Sequence, residues 1–287
     1  MNKGVLIFAH NNRQVDYARM ALVSGKLANK HLGVPVSLVS DESTITWMKE
    51  SKIYDKAVTL FDKIIITERP PEDQNRVMYD GKEKVVSLFK NSNRSSVWDL
   101  TPYDRTLLID TDYFIFSNML NDYWDVNSDL LISESYNDIL GSERVGYLDK
   151  YISDTGIKML WATTVMFTKN ENTKVFFDLV EHIRRNYSRF ADIYRFDNRI
   201  YRNDISFSIA RHILYGFETD NDYSLPPVFS SIDKDILYKI DNDLNLLFLV
   251  NTPNRENYYA ASVKNRDVHI MNKQSVTRNL DRLLELI

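Results

Sequence analysis

Two aspartates set two positions apart at the end of an apolar run are the first place where this chain could do chemistry. Thr106-Leu107-Leu108-Ile109-Asp110-Thr111-Asp112 delivers the pair, and Tyr113-Phe114-Ile115-Phe116 follows with a second apolar stretch. Carboxylates flanked by apolar residues on both sides are drawn out of water, and a buried carboxylate needs a cation or hydrogen-bond donors. Two such groups are hard oxygen ligands, suited to Mg²⁺ or Mn²⁺ shared with a substrate's phosphates. An Asp-x-Asp pair also occurs where it only caps and solubilises a strand end. The flanking residues, more than the motif, carry the metal reading here.

The surrounding elements must then position the pair. Val5 to Ala9 reads as a buried strand and Asp16 to Lys30 as an amphipathic helix stopped by Gly33. Val34 to Val39 and Ile64-Ile65-Ile66 read as further strands, Pro70-Pro71 opens a loop, and helical stretches are expected at Lys82 to Phe89 and Ser95 to Leu100. Strands separated by helices predict an α/β fold with a mostly parallel, Rossmann-like central sheet, whose strand carboxyl ends form the ligand edge. Asp110 and Asp112 would stand on that edge. Further on, Asp129 to Ser133 and Leu160 to Thr168 read as strands, with a polar, aperiodic stretch from Tyr136 to Gly156 between them. Asn172 to Tyr187, Asp204 to Leu214 and Ser275 to Ile287 read as helices. Ile236 to Ile240, Leu246 to Val250 and Val268 to Met271 read as strands. The expected organisation is one continuous globular domain with two lobes, 1–117 ending in the Asp-x-Asp segment and 118–287 facing an acceptor.

Tyr103-Asp104-Arg105-Thr106-Leu107-Leu108-Ile109-Asp110-Thr111-Asp112 resembles the D-x-D segment of GT-A glycosyltransferases, and is most similar to the glycogenin and galactosyltransferase-like group, family 8. The resemblance implies a GT-A fold and transfer of a sugar from a nucleotide-sugar, a UDP-sugar being expected, with Mn²⁺ or Mg²⁺ as cofactor. It also implies residue roles. Ala9, His10, Asn11 and Tyr17 fall where the family's first strand and loop hold the base, and Asp41 where an acidic residue approaches base or ribose. Arg94 matches a basic residue upstream of D-x-D. His269 matches the third metal ligand beside Asp110 and Asp112. Lys273 survives from a Lys-Pro-Trp pattern, and Asn203-Asp204 echoes an Asp-Gln pair. Leu160-Trp161-Ala162-Thr163 departs from the family's Asn-Ala-Gly or Asn-Ser-Gly, so donor and acceptor preference and stereochemical outcome do not carry over.

The roles that follow from charge are these. A divalent ion on Asp112 and His269, with Asp110 on the metal or the ribose, would stabilise a departing diphosphate. Lys273 and Arg94 would add phosphate contacts. Asp204 would orient acceptor or sugar, or merely cap its helix. Asp41 is open to the same capping alternative, and Tyr17 to a place in the core. The stretch Tyr187-Ser188-Arg189-Phe190 to Tyr201-Arg202 interleaves aromatics with arginines, which can stack on sugars or bases or form an ordinary structured loop.

Composition sets the outer limits. The 287 residues carry 36 basic and 40 acidic side chains, a net charge of −4, which offers no bulk attraction for nucleic acid. There is no cysteine, which excludes disulfide and thiolate chemistry and fits a reducing compartment, so a cytoplasmic location is expected. No apolar run has the length of a membrane span. Two other functions compete with sugar transfer: a nucleotide-sugar or glycan binding module of the same fold, and metal-dependent nucleotidyl or phosphoryl transfer. The acceptor is open between saccharide, glycolipid, protein and modified DNA base, and the oligomeric state is open too.

Overall fold

The computed structural model describes residues 1–12, 14–68, 74–90, 93–141, 144, 150–197, 200–217, 224–252 and 257–287. The loop expected at Pro70-Pro71 and part of the polar stretch after Tyr136 lie outside the described residues. The chain begins with β1 (Lys3–Phe8), α1 (Tyr17–Leu32), β2 (Val36–Ser40), α2 (Glu42–Glu50), α3 (Tyr54–Leu60) and β3 (Lys63–Ile66). A hairpin follows, β4 (Gln74–Asp80) and β5 (Glu83–Phe89), then the single turn α4 (Val97–Leu100). Next come β6 (Arg105–Ile109), β7 (Tyr113–Phe114), β8 (Leu130–Ser133), β9 (Tyr136–Asp138), β10 (Tyr151–Ile152), β11 (Ile157–Lys158) and β12 (Trp161–Thr168). Three helices, α5 (Glu171–Arg185), α6 (Tyr187–Tyr194) and α7 (Asn203–Tyr215), lead to β13 (Val228–Ser230). The chain closes with β14 (Ile236–Ile240), β15 (Leu246–Asn251), β16 (Tyr258–Val263), β17 (Val268–His269) and α8 (Lys273–Leu286).

The central sheet has the order β3-β2-β1-β6-β12-β8. β3, β2, β1 and β6 run parallel, and β12 runs antiparallel to both β6 and β8. Alternation along each strand divides the core into two layers. Val5 and Ile7 of β1 and Leu107 and Ile109 of β6 face one layer, whereas Leu6, Phe8 and Leu108 face the other. Leu22, Leu27, Met48, Ala57 and Leu280 fill the first layer; Phe176, Phe177, Phe207 and Ile209 fill the second. A sheet buried on both faces explains why its strands read as continuous apolar runs. The expected mixed α/β class with a mostly parallel sheet is what the chain adopts, and the central sheet draws strands from both sides of residue 117. Among the described residues no helix is long and apolar enough to cross a membrane.

The local signals that set the elements are mostly caps. Asp16 accepts from the Arg19 amide at the start of α1, and Gly33, at φ 67°, closes it in the left-handed conformation. The expected helix at Lys82 to Phe89 is instead β5, paired with β4 from Gln74↔Phe89 to Asp80↔Glu83. Gly81-Lys82 makes the turn, with Gly81 at φ 64°. Val85, Ser87 and Phe89 lie on the more covered side while Val86 is exposed, a period of two that prevails over helical spacing. Helices α2 and α3 and strand β16 carry too little apolar periodicity to be marked from sequence. Asp41 nevertheless supplies a cap for α2.

Candidate functional site

The Asp-x-Asp segment sits where β6 leaves the sheet. The Asp110 amide donates to Thr163 O at 3.0 Å, the Tyr113 amide closes a turn on Asp110 O at 3.1 Å, and Ser24 Oγ donates to Thr111 O at 2.5 Å. The turn is therefore held by β12, by itself and by α1. β7 then pairs antiparallel with β17, placing His269 opposite Tyr113, and the Ile270 amide donates to Asp112 O at 2.9 Å. His269 Nδ1 lies 3.3 Å from Ser230 Oγ on β13, and its Nε2 lies 3.3 Å from Asp112 Oδ2. One donor atom each from Asp110, Asp112 and His269 falls within 4.8 Å of the others. Two carboxylates and an imidazole converging in this way can hold a divalent cation.

Cations stand against both acids. Lys273, in the first turn of α8, places Nζ 2.5 Å from Asp112 Oδ2. Arg94 is buried, with one guanidinium nitrogen 3.0 Å from Asp110 Oδ1 and another donating to Ala162 O at 2.6 Å. Burial by itself would raise the Asp112 carboxyl, but Lys273 and His269 overcome it and hold it well below the usual range. For Asp110 desolvation prevails, and its carboxyl is pushed up against the pull of Arg94, with Asp112 adding to the rise. Burial would lower Lys273, yet Asp112 keeps its ammonium above the ordinary value. The two neighbouring carboxylates are thus driven apart in proton affinity by their surroundings.

The group opens into a cleft of about 680 Å³. Tyr17, Arg94, Asp110, Thr111, Asp112, Asp204, His269 and Lys273 all line it, so eight positions singled out in the sequence meet at one place. Ala9, His10, Asn11 and Asp41 do not line it and are buried at the ends of β1 and β2. Asn11 Oδ1 accepts from the Ala18 amide at 2.7 Å, at the start of α1, and Asp41 accepts from the Thr44 amide at 2.7 Å and Ser43 Oγ at 2.8 Å. Both side chains hold helix starts. Asp204 does not cap α7, whose preceding residue is Arg202. Its Oδ1 accepts from the Ala162 amide at 3.0 Å and its Oδ2 lies 3.2 Å from Arg202. Arg94 and Asp204 therefore grip the carbonyl and the amide of the same residue at the start of β12.

Four basic residues on the cleft wall were not singled out as site residues. Arg76 of β4 donates to Tyr201 O and lies 3.4 Å from the Phe89 ring centre, and Arg144, Arg202 and Lys234 join it. Gly81, opening a two-residue turn between alternating residues, would have revealed the strand bearing Arg76. Arg202 belongs to the aromatic and basic stretch noted in the sequence, and Lys234 left no local signal.

No family model and no curated protein matches the chain. Solved structures do. The glycosyltransferase GlyE of Streptococcus pneumoniae TIGR4 aligns at 12% identity and a TM-score of 0.43, over 81% of this chain and 45% of that one. The galactosyltransferase LgtC, solved with donor and acceptor sugar analogues, aligns at 13% identity and a TM-score of 0.43, over 72% of this chain and 69% of that one. Mouse xyloside xylosyltransferase 1 aligns at 8% identity and a TM-score of 0.42, over 76% and 83% respectively. This chain thus spans less than half the length of GlyE. Scores and identities of this size are likenesses of outline and give no residue a role.

Proposed function

We propose that the chain is a metal-dependent glycosyltransferase of GT-A type that uses a nucleotide-sugar donor, with a UDP-sugar as the first choice. The observation that carries the reading is the convergence of Asp110, Asp112 and His269 at the ligand edge of a mostly parallel sheet, beside Lys273 and Arg94. In the reaction the bond from sugar carbon to phosphate oxygen breaks, with its electron pair leaving on the nucleoside diphosphate. The acceptor oxygen forms the new bond and gives up its proton. Asp110, Asp112 and His269 would hold Mn²⁺ or Mg²⁺, which supplies Lewis-acid stabilisation of the leaving diphosphate. Lys273 contributes a fixed positive charge for the same phosphates, and Arg94 holds Asp110 in place while anchoring β12. Tyr17 offers a ring on the cleft wall, and Asp204 faces the cleft as the group to orient sugar or acceptor. Residues 1–117 would form the nucleotide lobe and 118–287 the acceptor side of one domain. Ala9, His10, Asn11 and Asp41 would shape the base site, Asn11 and Asp41 through the helix starts they hold. The absence of cysteine agrees with work in a reducing compartment such as the cytoplasm.

The test is release of free nucleotide from a panel of nucleotide-sugars, with water as default acceptor, with and without Mn²⁺. Slow metal-dependent release from one donor, abolished in Asp112→Ala, is the expected result. Neither release nor calorimetric binding with any donor would sink the reading, and binding without release in the presence of candidate acceptors would favour a binding module.

A further inference from the structure

Next to the metal-side cleft lies a second, larger cavity of about 960 Å³, and no role has yet been given to it. Tyr136 and Trp161 belong to the walls of both cavities. Their rings stack with centroids 4.9 Å apart and planes 24° from parallel. Tyr136 is held by contacts of its hydroxyl to Asp138 and Ser230 O, and Trp161 opens β12 immediately before the residue gripped by Arg94 and Asp204. The aromatic pair is thus a shared partition, fixed to the same backbone that shapes the candidate metal site.

The charges around the second cavity are not those of the whole chain. Its wall carries four basic residues, Lys150, Lys158, Lys264 and Arg266, against two acids, Glu134 and Asp138. Both acids are already engaged. Glu134 takes Lys158 at 2.6 Å and Arg211 at 3.2 Å, and Asp138 takes Arg144 at 2.6 Å. Lys264 is exposed and meets only Asp243, at 3.6 Å, among the ion pairs of the described residues; Arg266 is exposed and lies 3.7 Å from the Phe229 ring centre. A protein of net charge −4 therefore gathers a local excess of positive charge around one bounded cavity with aromatic faces. Sugar rings stack on aromatic faces, and guanidinium and ammonium groups pair with carboxylate or phosphate.

We propose that this second cavity is the acceptor site and that it takes an acidic saccharide, stacked on the face that the Tyr136–Trp161 pair turns to it, with its negative group at Lys264 and Arg266. The inference rests on the glycosyltransferase reading of the neighbouring cleft. Nucleic acid fits less well, because a strand needs cations along an extended track and the overall charge opposes it.

The test is calorimetric titration of the full chain, in the presence of UDP and Mn²⁺, with a glucuronic-acid-containing disaccharide, its neutral glucose counterpart, and inorganic phosphate. The acidic disaccharide should bind at least tenfold more tightly than the neutral one. Lys264→Glu with Arg266→Glu, both exposed positions whose folding is checked by circular dichroism, should lower that affinity at least tenfold. Trp161→Ala should weaken both sugars alike. Equal binding of the two sugars, no binding of either, or an unchanged double variant would overturn the proposal. So would phosphate binding as tightly as the acidic sugar, or a short oligonucleotide displacing that sugar at equal concentration. UDP affinity measured in the same samples separates the two readings. UDP bound without sugar removes only the acceptor proposal. Sugar bound and lost in the double variant, with no UDP affinity, removes the glycosyltransferase reading.

Discussion

Two groups of charges lie close together in this molecule and are built differently. In one, Arg144 is almost fully buried between Asp138 and Asp235 and donates to both oxygens of each carboxylate, with a further bond to Asn251 O. In the other, Asp110, Asp112 and His269 converge on one point, and their cations approach from the side, Arg94 on Asp110 and Lys273 on Asp112. The first group uses its hydrogen-bonding capacity on itself and ties the chain around Asp138 to β15 and to the turn before β14. The second brings two acids together at a cleft, which costs stability unless something positive is placed between or beside them. Saturation marks charges that hold the fold; convergence marks charges arranged to hold something else.

That contrast can be broken by substitution, and the largest effect is expected at the saturated group. Arg144→Ala leaves two buried carboxylates facing each other without a cation and should cost about 3 to 5 kcal/mol. Urea unfolding would read it, and a loss under about 1 kcal/mol would show that the group is not structural. Asp112→Asn should act mainly on activity. It takes the charge from the buried partner of Lys273, so some stability is lost, less than in Arg144→Ala, while metal-stimulated nucleotide release falls on the order of 10²–10³-fold, the scale of losing one stabiliser of developing charge. A variant that unfolds but keeps its activity per folded molecule would exchange the two assignments.

Lys273→Ala should weaken nucleotide binding by about 10- to 100-fold, the value of one charge-assisted contact, with partial recovery in Lys273→Arg. Titration with UDP checks this. The smallest effect concerns an intermediate case, Glu181. Burial would raise its carboxyl, but hydrogen bonds from Arg184, Ser95 and Arg185 bring it down to about 2 from 4.5. A depressed pKa stabilises the fold above the unfolded value and is lost as pH falls, here between about 4.5 and 2. Glu181→Gln should remove about 1 to 2 kcal/mol at neutral pH and flatten the acid side of the stability curve in that window. An unchanged acid slope would mean that those donors contribute nothing net.

Much of this arrangement was legible before any coordinates. Apolar strands, a capped first helix and the acids after Ile109 are local features, and local features survive reading one residue at a time. The hairpin carrying Arg76 is hard to read in sequence because Val85, Val86 and Leu88 satisfy a helical face nearly as well as a strand, and only the turn at Gly81-Lys82 decides between them. The bond of Asp204 to the Ala162 amide is not legible in sequence, since it depends on where β12 lies relative to α7. Asn11 and Asp41 marked strand ends as expected, yet their side chains are spent on the first turns of α1 and α2.

The sequence by itself determined the fold class, the strand that ends in two carboxylates, and the acidity of that strand end. These depend on periodicity and on neighbours within a few residues. Only the tertiary structure decided that His269 would stand beside Asp112, that Lys273 would reach the same oxygen, and that Tyr136 and Trp161 would divide two cavities. The first two follow from β17 on β7, and the last from β9 on β13 and β12 on β8, pairings between distant segments that no local propensity encodes. The acids were written in the strand, and their partners were brought by the pairing.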